Sequence, residues 1–145
     1  MPSVADAIRE AATRLSATSD TARLDAELLM AHALGISRSD MLLRGMRDPA
    51  PQGFEALVAR RIAHEPVAYI TGSAEFYGLD LQVSPAVLIP RGDSETLIDA
   101  GREHFADRAS PQRILDLGTG SGALLLAALS LWPEAQGLGL DASMP

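Results

Sequence analysis

The stretch of the sequence best suited to chemistry is ILDLGTGSG, residues 114–122, in which an apolar strand-like segment meets a glycine-rich turn. Its three glycines are placed where a strand must turn sharply into a helix and where a ligand must approach the backbone without a Cβ in the way. The start of the following helix offers free N–H groups to an anion. The pattern predicts a ligand-binding turn of five residues: Gly118, Thr119, Gly120, Ser121 and Gly122.

Two ligand classes fit such a turn, and an acid in front of it separates them. Dinucleotide-binding proteins use G-x-G-x-x-G, whereas here the spacing is G-x-G-x-G and Asp116 precedes it. A carboxylate there repels a pyrophosphate and favours a ligand with a positive group, such as S-adenosylmethionine with its ammonium and sulfonium. Asp141 lies about 20 residues beyond the turn, where a second strand places the carboxylate that binds ribose hydroxyls. The alternative is a purely structural turn, with Asp141 capping the segment that follows.

The turn needs two strands and a helix to position it. Residues 113–117 predict a strand, 123–131 a helix and 137–141 a second strand, which together form the βαβ unit that opens a doubly wound α/β domain. A helix that begins near Asp93 or Ser94 precedes this unit.

Between residues 66 and 91 the composition is rich in aromatic and β-branched residues, which predicts short strands. The expected hairpin has its two arms at 75–77 and 79–83. Three aromatic residues there either line a ligand edge or pack within the hairpin, and packing is favoured: Tyr69, Phe76 and Tyr77.

Residues 1–65 predict four short helices in a small bundle. The first is capped by Ser3, the third by Ser37, and the fourth begins near Phe54. The second helix is expected to end at Gly35. Helical spacing assigns it one apolar face, made of Leu24, Leu28, Ala31 and Leu34.

Composition excludes several kinds of protein. The net charge is −7, from 12 basic residues, all arginine, and 19 acidic ones, so a broad basic surface for nucleic acid or membranes is not expected. No apolar run approaches the roughly 18 residues of a membrane span, and the N-terminus lacks the apolar core of a secretory signal, so a cytoplasmic protein is expected. There is no cysteine, and the three histidines have no metal-ligand spacing, so no metal site is predicted: His32, His64 and His104.

Two segments together resemble one family. EPVAYITGSAEFYGLDLQVSPAVLIPRGDSETLIDA, followed by ILDLGTGSGALLLAAL, is similar to the release factor N5-glutamine methyltransferases, the PrmC or HemK family. The resemblance is detailed over residues 64–143, while the helical N-terminus agrees in size and pattern with the family's substrate-recognition domain. It implies an α/β chain in three parts: an N-terminal all-α helical bundle (1–65), a β-hairpin linker (66–91) and the first βαβ unit of a class I, Rossmann-like methyltransferase domain (92–145).

The resemblance also implies the chemistry. The cofactor is S-adenosyl-L-methionine, and the substrate is the glutamine in the Gly-Gly-Gln loop of peptide chain release factors, which act in translation termination. The five turn residues match the family's cofactor loop and Asp141 its ribose-binding acid. In IPRGDSE the family's usual proline is replaced by Gly92 and its threonine by Ser94. A salt bridge or helix cap is expected for Arg91 and Glu95 at least as much as ligand contact.

The family's catalytic Asn-Pro-Pro-Tyr has no counterpart, since the sequence contains no asparagine and no Pro-Pro pair. We therefore assign no catalytic residue and expect the chain to correspond to the first half of a methyltransferase that is inactive by itself. Its two parallel strands cannot be covered on both faces, so this half-domain is expected to be either poorly ordered or shielded by another copy of the chain.

Two other functions remain open. One is a non-catalytic adaptor in which the helical bundle binds a protein partner. The other is a different S-adenosylmethionine enzyme, such as an adenine N6-methyltransferase, which the acidic charge and the match over residues 66–95 disfavour.

Overall fold

The chain forms two compact units of mixed helix and strand, Met1–Thr71 and a second that begins at Gly72; the computed structural model describes residues 1–143. The change from one unit to the other falls inside the segment 66–91 that the sequence assigns to the linker. The three-part division at residues 65 and 91 stays a prediction.

Helices make up the regular structure of the first unit. α1 (Val4–Leu15) begins at the predicted cap, because the Asp6 N–H donates to Ser3 Oγ over 3.2 Å. α3 (Arg38–Asp40) begins in the same way, with the Asp40 N–H donating to Ser37 Oγ, and continues into a π-helical turn, Met41–Gly45. α4 spans Phe54–Ile62. Sequence spacing therefore identified these helix starts correctly.

The second helix, α2 (Ala22–Leu34), ends at Gly35 as predicted, and its predicted apolar face is buried only in part. Ala31 is buried and Leu34 packs against the core. Leu24 and Leu28 are exposed, whereas Ala26, Leu29 and Met30 are fully buried. Two acids, Asp25 and Glu27, are also buried on α2. The predicted face was thus correct at Ala31 and Leu34 and wrong at Leu24 and Leu28. Arginines neutralise the two acids, so positions that look polar in the sequence turn toward the interior.

The segment Val67–Thr71 is a short helix, α5, although its composition predicts strands. Ile70 of α5 is buried in the apolar core of the first unit, whose side chains come from every longer helix. Burial against helices thus outweighs the β propensity of the segment. The fully buried large side chains of this core are Val4, Ile8, Leu15, Leu29, Met30, Met41, Phe54 and Val58.

The second unit opens with the predicted hairpin. β1 (Ser73–Phe76) pairs antiparallel with β2 (Leu79–Gln82). Tyr77 and Gly78, the two turn residues, have φ of 51° and 77°, as a tight two-residue hairpin requires. The Tyr77 N–H donates to Glu95 Oε1 over 2.9 Å, at the start of α6 (Glu95–His104). This bond ties the hairpin turn to the helix.

The βαβ unit agrees closely with the sequence prediction. β3 (Arg113–Leu117) pairs parallel with β4 (Gln136–Leu140), and α7 (Ala123–Leu131) connects them. A Cβ at Gly137 would meet Leu125 and Leu129 of α7, so this face of the strand pair lies against the helix. The opposite face carries Leu115 paired with Leu138, and Leu117 paired with Leu140, all four exposed.

Within residues 1–143 every helix is either too short or too polar to cross a lipid bilayer.

Candidate functional site

The glycine turn between β3 and α7 adopts the backbone that its sequence suggests. Gly118, Gly120 and Gly122 have φ of 72°, 56° and 83°, in the left-handed region where a side chain is strained. The N–H groups of Gly118 and Thr119 both donate to the Leu140 carbonyl oxygen, over 2.7 and 2.9 Å. The turn is therefore held against the carboxyl end of β4.

Thr119 fits this position only because β4 has a glycine beneath it. A Cβ built at Gly139 would lie 2.7 Å from Thr119 Oγ1 and 3.0 Å from its Cβ. No side chain is accommodated at that distance without moving the turn. Sequence analysis did not single out Gly139, although the alternation in GLGLD could have signalled it.

The acid in front of the turn is oriented by the same threonine. Thr119 Oγ1 donates to Asp116 Oδ2 over 2.9 Å, and both residues are half-buried. One carboxylate oxygen of Asp116 is thus fixed internally, while Asp116 also lines the adjoining cavity. The other oxygen remains available for a positively charged ligand group, as the sequence argument requires.

Asp141 follows β4 and binds the middle of the turn. Its Oδ2 accepts the Gly120 N–H and its Oδ1 the Ser143 N–H, each over 2.8 Å. The hydrogen bond from the Ser143 N–H, followed by that from the Gly120 N–H, holds the pKa of Asp141 below its usual value. The exposed carboxylate is therefore ionised at neutral pH. Each oxygen keeps a further acceptor position, which leaves room for two ligand hydroxyl groups.

Fewer backbone donors remain than the sequence suggests. Four N–H groups of the turn are used internally, because Gly122 donates to the Thr119 carbonyl oxygen in addition to the three bonds above. Within residues 1–143 the Ser121 N–H has no acceptor. Of the five turn residues, Ser121 is therefore the one whose N–H is left for a ligand among the described residues.

Two adjoining cavities flank the turn. The first, of about 180 Å³, is lined on one side by the turn and Asp116 and on the other by Phe76 and the segment 88–91. The second, of about 280 Å³, is lined by the segment 86–88, Gly118, Gly120, Asp141 and Ser143. Leu88, Gly118 and Gly120 line both, so the predicted loop and acid face connected space.

The structure separates the roles of Arg91 and Glu95. Glu95 accepts the Tyr77 N–H, so it is a structural residue of the hairpin. Arg91 lines the first cavity, and among the described residues it forms no ion pair. The predicted salt bridge is therefore formed by neither residue in the part of the chain that the structure describes.

The aromatic residues of the hairpin segment divide in a similar way. Phe76 is buried and lines the first cavity, so it both packs and faces the site. Tyr77 donates its hydroxyl to Asp99 over 2.9 Å, which supports packing. Tyr69 lies in α5 of the first unit. No three His, Cys, Asp or Glu side chains in the part of the chain that the structure describes come together as metal ligands.

Comparison with known proteins gives a consistent result along the chain. Residues 6–72 match the model of the PrmC N-terminal domain family. A release factor glutamine methyltransferase of Aliivibrio fischeri is 44% identical over 126 residues, which is 85% of this chain and 44% of that protein. The Escherichia coli enzyme of the same name is 42% identical over 137 residues, which is 92% of this chain and 48% of that protein. The enzyme of that name from Bradyrhizobium diazoefficiens is 41% identical over 148 residues, which is 98% of this chain and 50% of that protein. The chain thus spans about half the length of these curated relatives.

Proposed function

We infer that the chain belongs to the PrmC/HemK family of release factor glutamine methyltransferases, and we propose that its second unit binds S-adenosylmethionine. We further propose that the protein methylates the glutamine of the Gly-Gly-Gln loop of peptide chain release factors. In it, the βαβ unit is the start of a class I, Rossmann-like domain, and the helical first unit recognises the protein substrate. Because release factors act at the ribosome, a cytoplasmic location is part of the proposal.

The residues around the turn fit this cofactor. Asp116 offers a carboxylate oxygen to a positive group, and Asp141 offers two acceptor positions to the ribose hydroxyls. Left-handed glycines let the ligand approach the backbone closely. The single observation that carries the proposal is the bond from Gly120 to Asp141, because it joins the glycine turn and the second-strand acid into one site.

The residues of the proposed site have different tasks in the proposed reaction. S-adenosylmethionine, when bound, supplies an activated methyl group. The turn and Asp141 orient its adenosine part, and Asp116 holds its positive end. Since Thr119 uses its hydroxyl and N–H internally, it serves the site by positioning the turn. These tasks concern binding and orientation, and we assign the methyl-transfer step no catalytic residue in residues 1–145.

Calorimetric titration with S-adenosylmethionine tests the proposed site. We expect binding by the chain and a loss of about tenfold or more in Asp141→Ala, because the substitution removes the ribose acceptors and releases the Gly120 N–H. The matched control is Asp107→Ala, which removes an exposed carboxylate from the loop after α6. Equal affinity in the chain and Asp141→Ala would contradict the proposal, and absence of binding by the chain would favour the adaptor function.

Methylation by the 145-residue chain gives a separate test. The family's Asn-Pro-Pro-Tyr has no counterpart here, so we expect no methyl transfer to a purified release factor even where cofactor binds. Measurable incorporation of labelled methyl groups would refute the expected inactivity while leaving the cofactor site intact.

A further inference from the structure

One residue, Tyr77, joins the hairpin to α6 by two hydrogen bonds. Its backbone N–H donates to Glu95 Oε1 and its hydroxyl to Asp99 Oδ1, both over 2.9 Å. The two acceptors lie four positions apart on α6, so they share one face of the helix on successive turns. These three residues, which we call the clamp, fasten the tip of the hairpin to the beginning of α6.

The backbone of Tyr77 is unusual for its residue type. Its φ of 51° lies in the left-handed region, where the first residue of a two-residue hairpin turn is usually Asn, Asp or Gly. A bulky residue persists in such a conformation only where the surrounding structure holds it there. The clamp provides that hold, and the geometry of the turn alone does not account for a tyrosine at this position.

The clamp fixes one end of a segment that borders the proposed cofactor site. Residues 84–91, the wall segment, form neither helix nor strand, and most of them are exposed. Residues 86–91 of this segment line the two cavities beside the glycine turn. At its start the wall segment follows β2, where the Val83 N–H donates to the Gly72 carbonyl oxygen over 3.0 Å. At its end it leads into Glu95, so the position of that end depends on the clamp.

Phe76 extends the effect of the clamp to the opposite side of the first cavity. It is buried, lines that cavity and immediately precedes Tyr77. The bond from Tyr77 to Glu95 therefore ties the strand that carries Phe76 to the helix that follows the wall segment. The two residues are 18 positions apart, and a loop that is already closed costs less entropy to order when a ligand arrives.

We propose that Tyr77 is a positioning residue for the binding of S-adenosylmethionine. Through the clamp it holds the wall segment at a fixed distance from Phe76 and the glycine turn, so the cavities have their shape before the ligand enters. Tyr77 itself lies outside the described lining of both cavities, and it acts through the residues that it fastens. The inference rests on the proposed function, because the wall segment belongs to that site.

Hydrogen exchange measured by mass spectrometry tests the clamp in the absence of a ligand. Glu95→Ala removes the acceptor of the Tyr77 N–H, and Tyr77→Phe removes the hydroxyl alone. In both variants the amides of the wall segment should exchange about threefold faster or more, while those of α7 keep their rates. Glu95→Gln keeps an oxygen that can accept the same N–H, so it should restore slow exchange. Unchanged exchange of the wall segment in Glu95→Ala would overturn the clamp.

Calorimetric titration of the 145-residue chain measures the effect on binding. Glu95→Ala should weaken the binding of S-adenosylmethionine about tenfold and Tyr77→Phe about threefold, whereas Glu95→Gln should stay within about twofold of the original chain. The control is Ile98→Val, which removes one methylene from a buried side chain of α6 and leaves both clamp bonds in place. It should lower the urea midpoint of unfolding and keep the affinity, because reduced stability alone does not change the dissociation constant of a folded chain.

The outcomes separate this inference from the function on which it rests. Faster exchange of the wall segment with unchanged affinity, or equal weakening in Glu95→Ala and Ile98→Val, would make Tyr77 a purely structural residue and leave the cofactor site standing. A chain that binds no S-adenosylmethionine would overturn the proposed site and the positioning role together, whatever the exchange rates show.

Discussion

At the scale of single residues, Glu27 shows how a charge is kept inside the first unit. Its side chain is buried and accepts hydrogen bonds from Arg23 Nε at 2.9 Å and Arg38 Nε at 2.8 Å. Burial alone would raise its pKa, but the hydrogen bonds and charges of the two arginines outweigh burial and hold the pKa below the usual 4.5.

That depressed pKa predicts loss of stability in acid. The stabilising effect of Glu27 is fully present above the unfolded pKa of about 4.5 and is lost as the pH falls through the lower folded pKa. Melting temperature measured by circular dichroism should therefore fall between about pH 5 and about pH 3. In Glu27→Gln this fall should be smaller, and the stability at neutral pH lower by about 1–3 kcal/mol. Glu10→Gln, exposed on α1, is the control; an identical pH profile in Glu27→Gln would contradict the argument.

The residues that the sequence identified share a property that the missed ones lack. Gly118, Gly120 and Asp141 lie in a local pattern of known spacing, so the sequence alone could predict that the turn and the acid come together. Glu27 is different, because its burial depends on Arg38, eleven positions away, and helical spacing treats an acid as a surface residue. Asp25 pairs with the still more distant Arg61, 3.0 Å away. Long-range charge pairing is invisible to periodicity, which is why the buried face of α2 was predicted only in part.

At the scale of elements, β4 and the glycine turn depend on each other through Gly139. Thr119 cannot easily give way to a new Cβ, since its N–H is bonded to Leu140 and its hydroxyl to Asp116. Gly139→Ala should therefore cost about 1–3 kcal/mol of unfolding free energy and also weaken S-adenosylmethionine binding. Urea unfolding and calorimetry measure the two effects.

A matched substitution checks that this cost comes from the contact. A Cβ at Gly92 meets nothing within 4 Å, and its φ lies outside the left-handed region. Gly92→Ala should leave the unfolding free energy unchanged or slightly raised. Similar losses in Gly92→Ala and Gly139→Ala would show that glycine itself, and not the approach of Thr119, sets the stability.

The bounds of elements with a strong local sequence signal were predicted closely, whereas an element with a weak signal was missed. β3 and α7 have the predicted bounds because an apolar strand, a glycine turn and an apolar helix follow in order. α5 was missed, since Val67–Thr71 has strand-like composition and becomes helical where Ile70 enters the helical core. The hairpin lies close to its predicted place because Tyr77 and Gly78 form a turn with a local signature.

At the scale of the whole molecule, the strand pair β3–β4 is covered on one face only. Its uncovered face carries the four leucines, and Leu117 at 71% exposure is the most open. Parallel strands are normally buried on both faces, and a contiguous exposed apolar surface is typical of an interaction site. The sequence argument anticipated this face from the count of strands alone.

We expect the 145-residue chain to cover this face by self-association. Pairing of Leu115 with Leu138 and of Leu117 with Leu140 gives a continuous apolar strip that a second copy could bury in the same way. Sedimentation velocity should show a species larger than a monomer, and its share should decline on dilution. The double variant Leu117→Glu/Leu138→Glu should shift the distribution toward monomer, because burying two charges is costly. Leu43→Glu, at a 78% exposed leucine of the first unit, should leave the distribution unchanged. A chain that sediments as a monomer at every concentration would rule out self-association, and equal effects of the two substitutions would assign it to another surface.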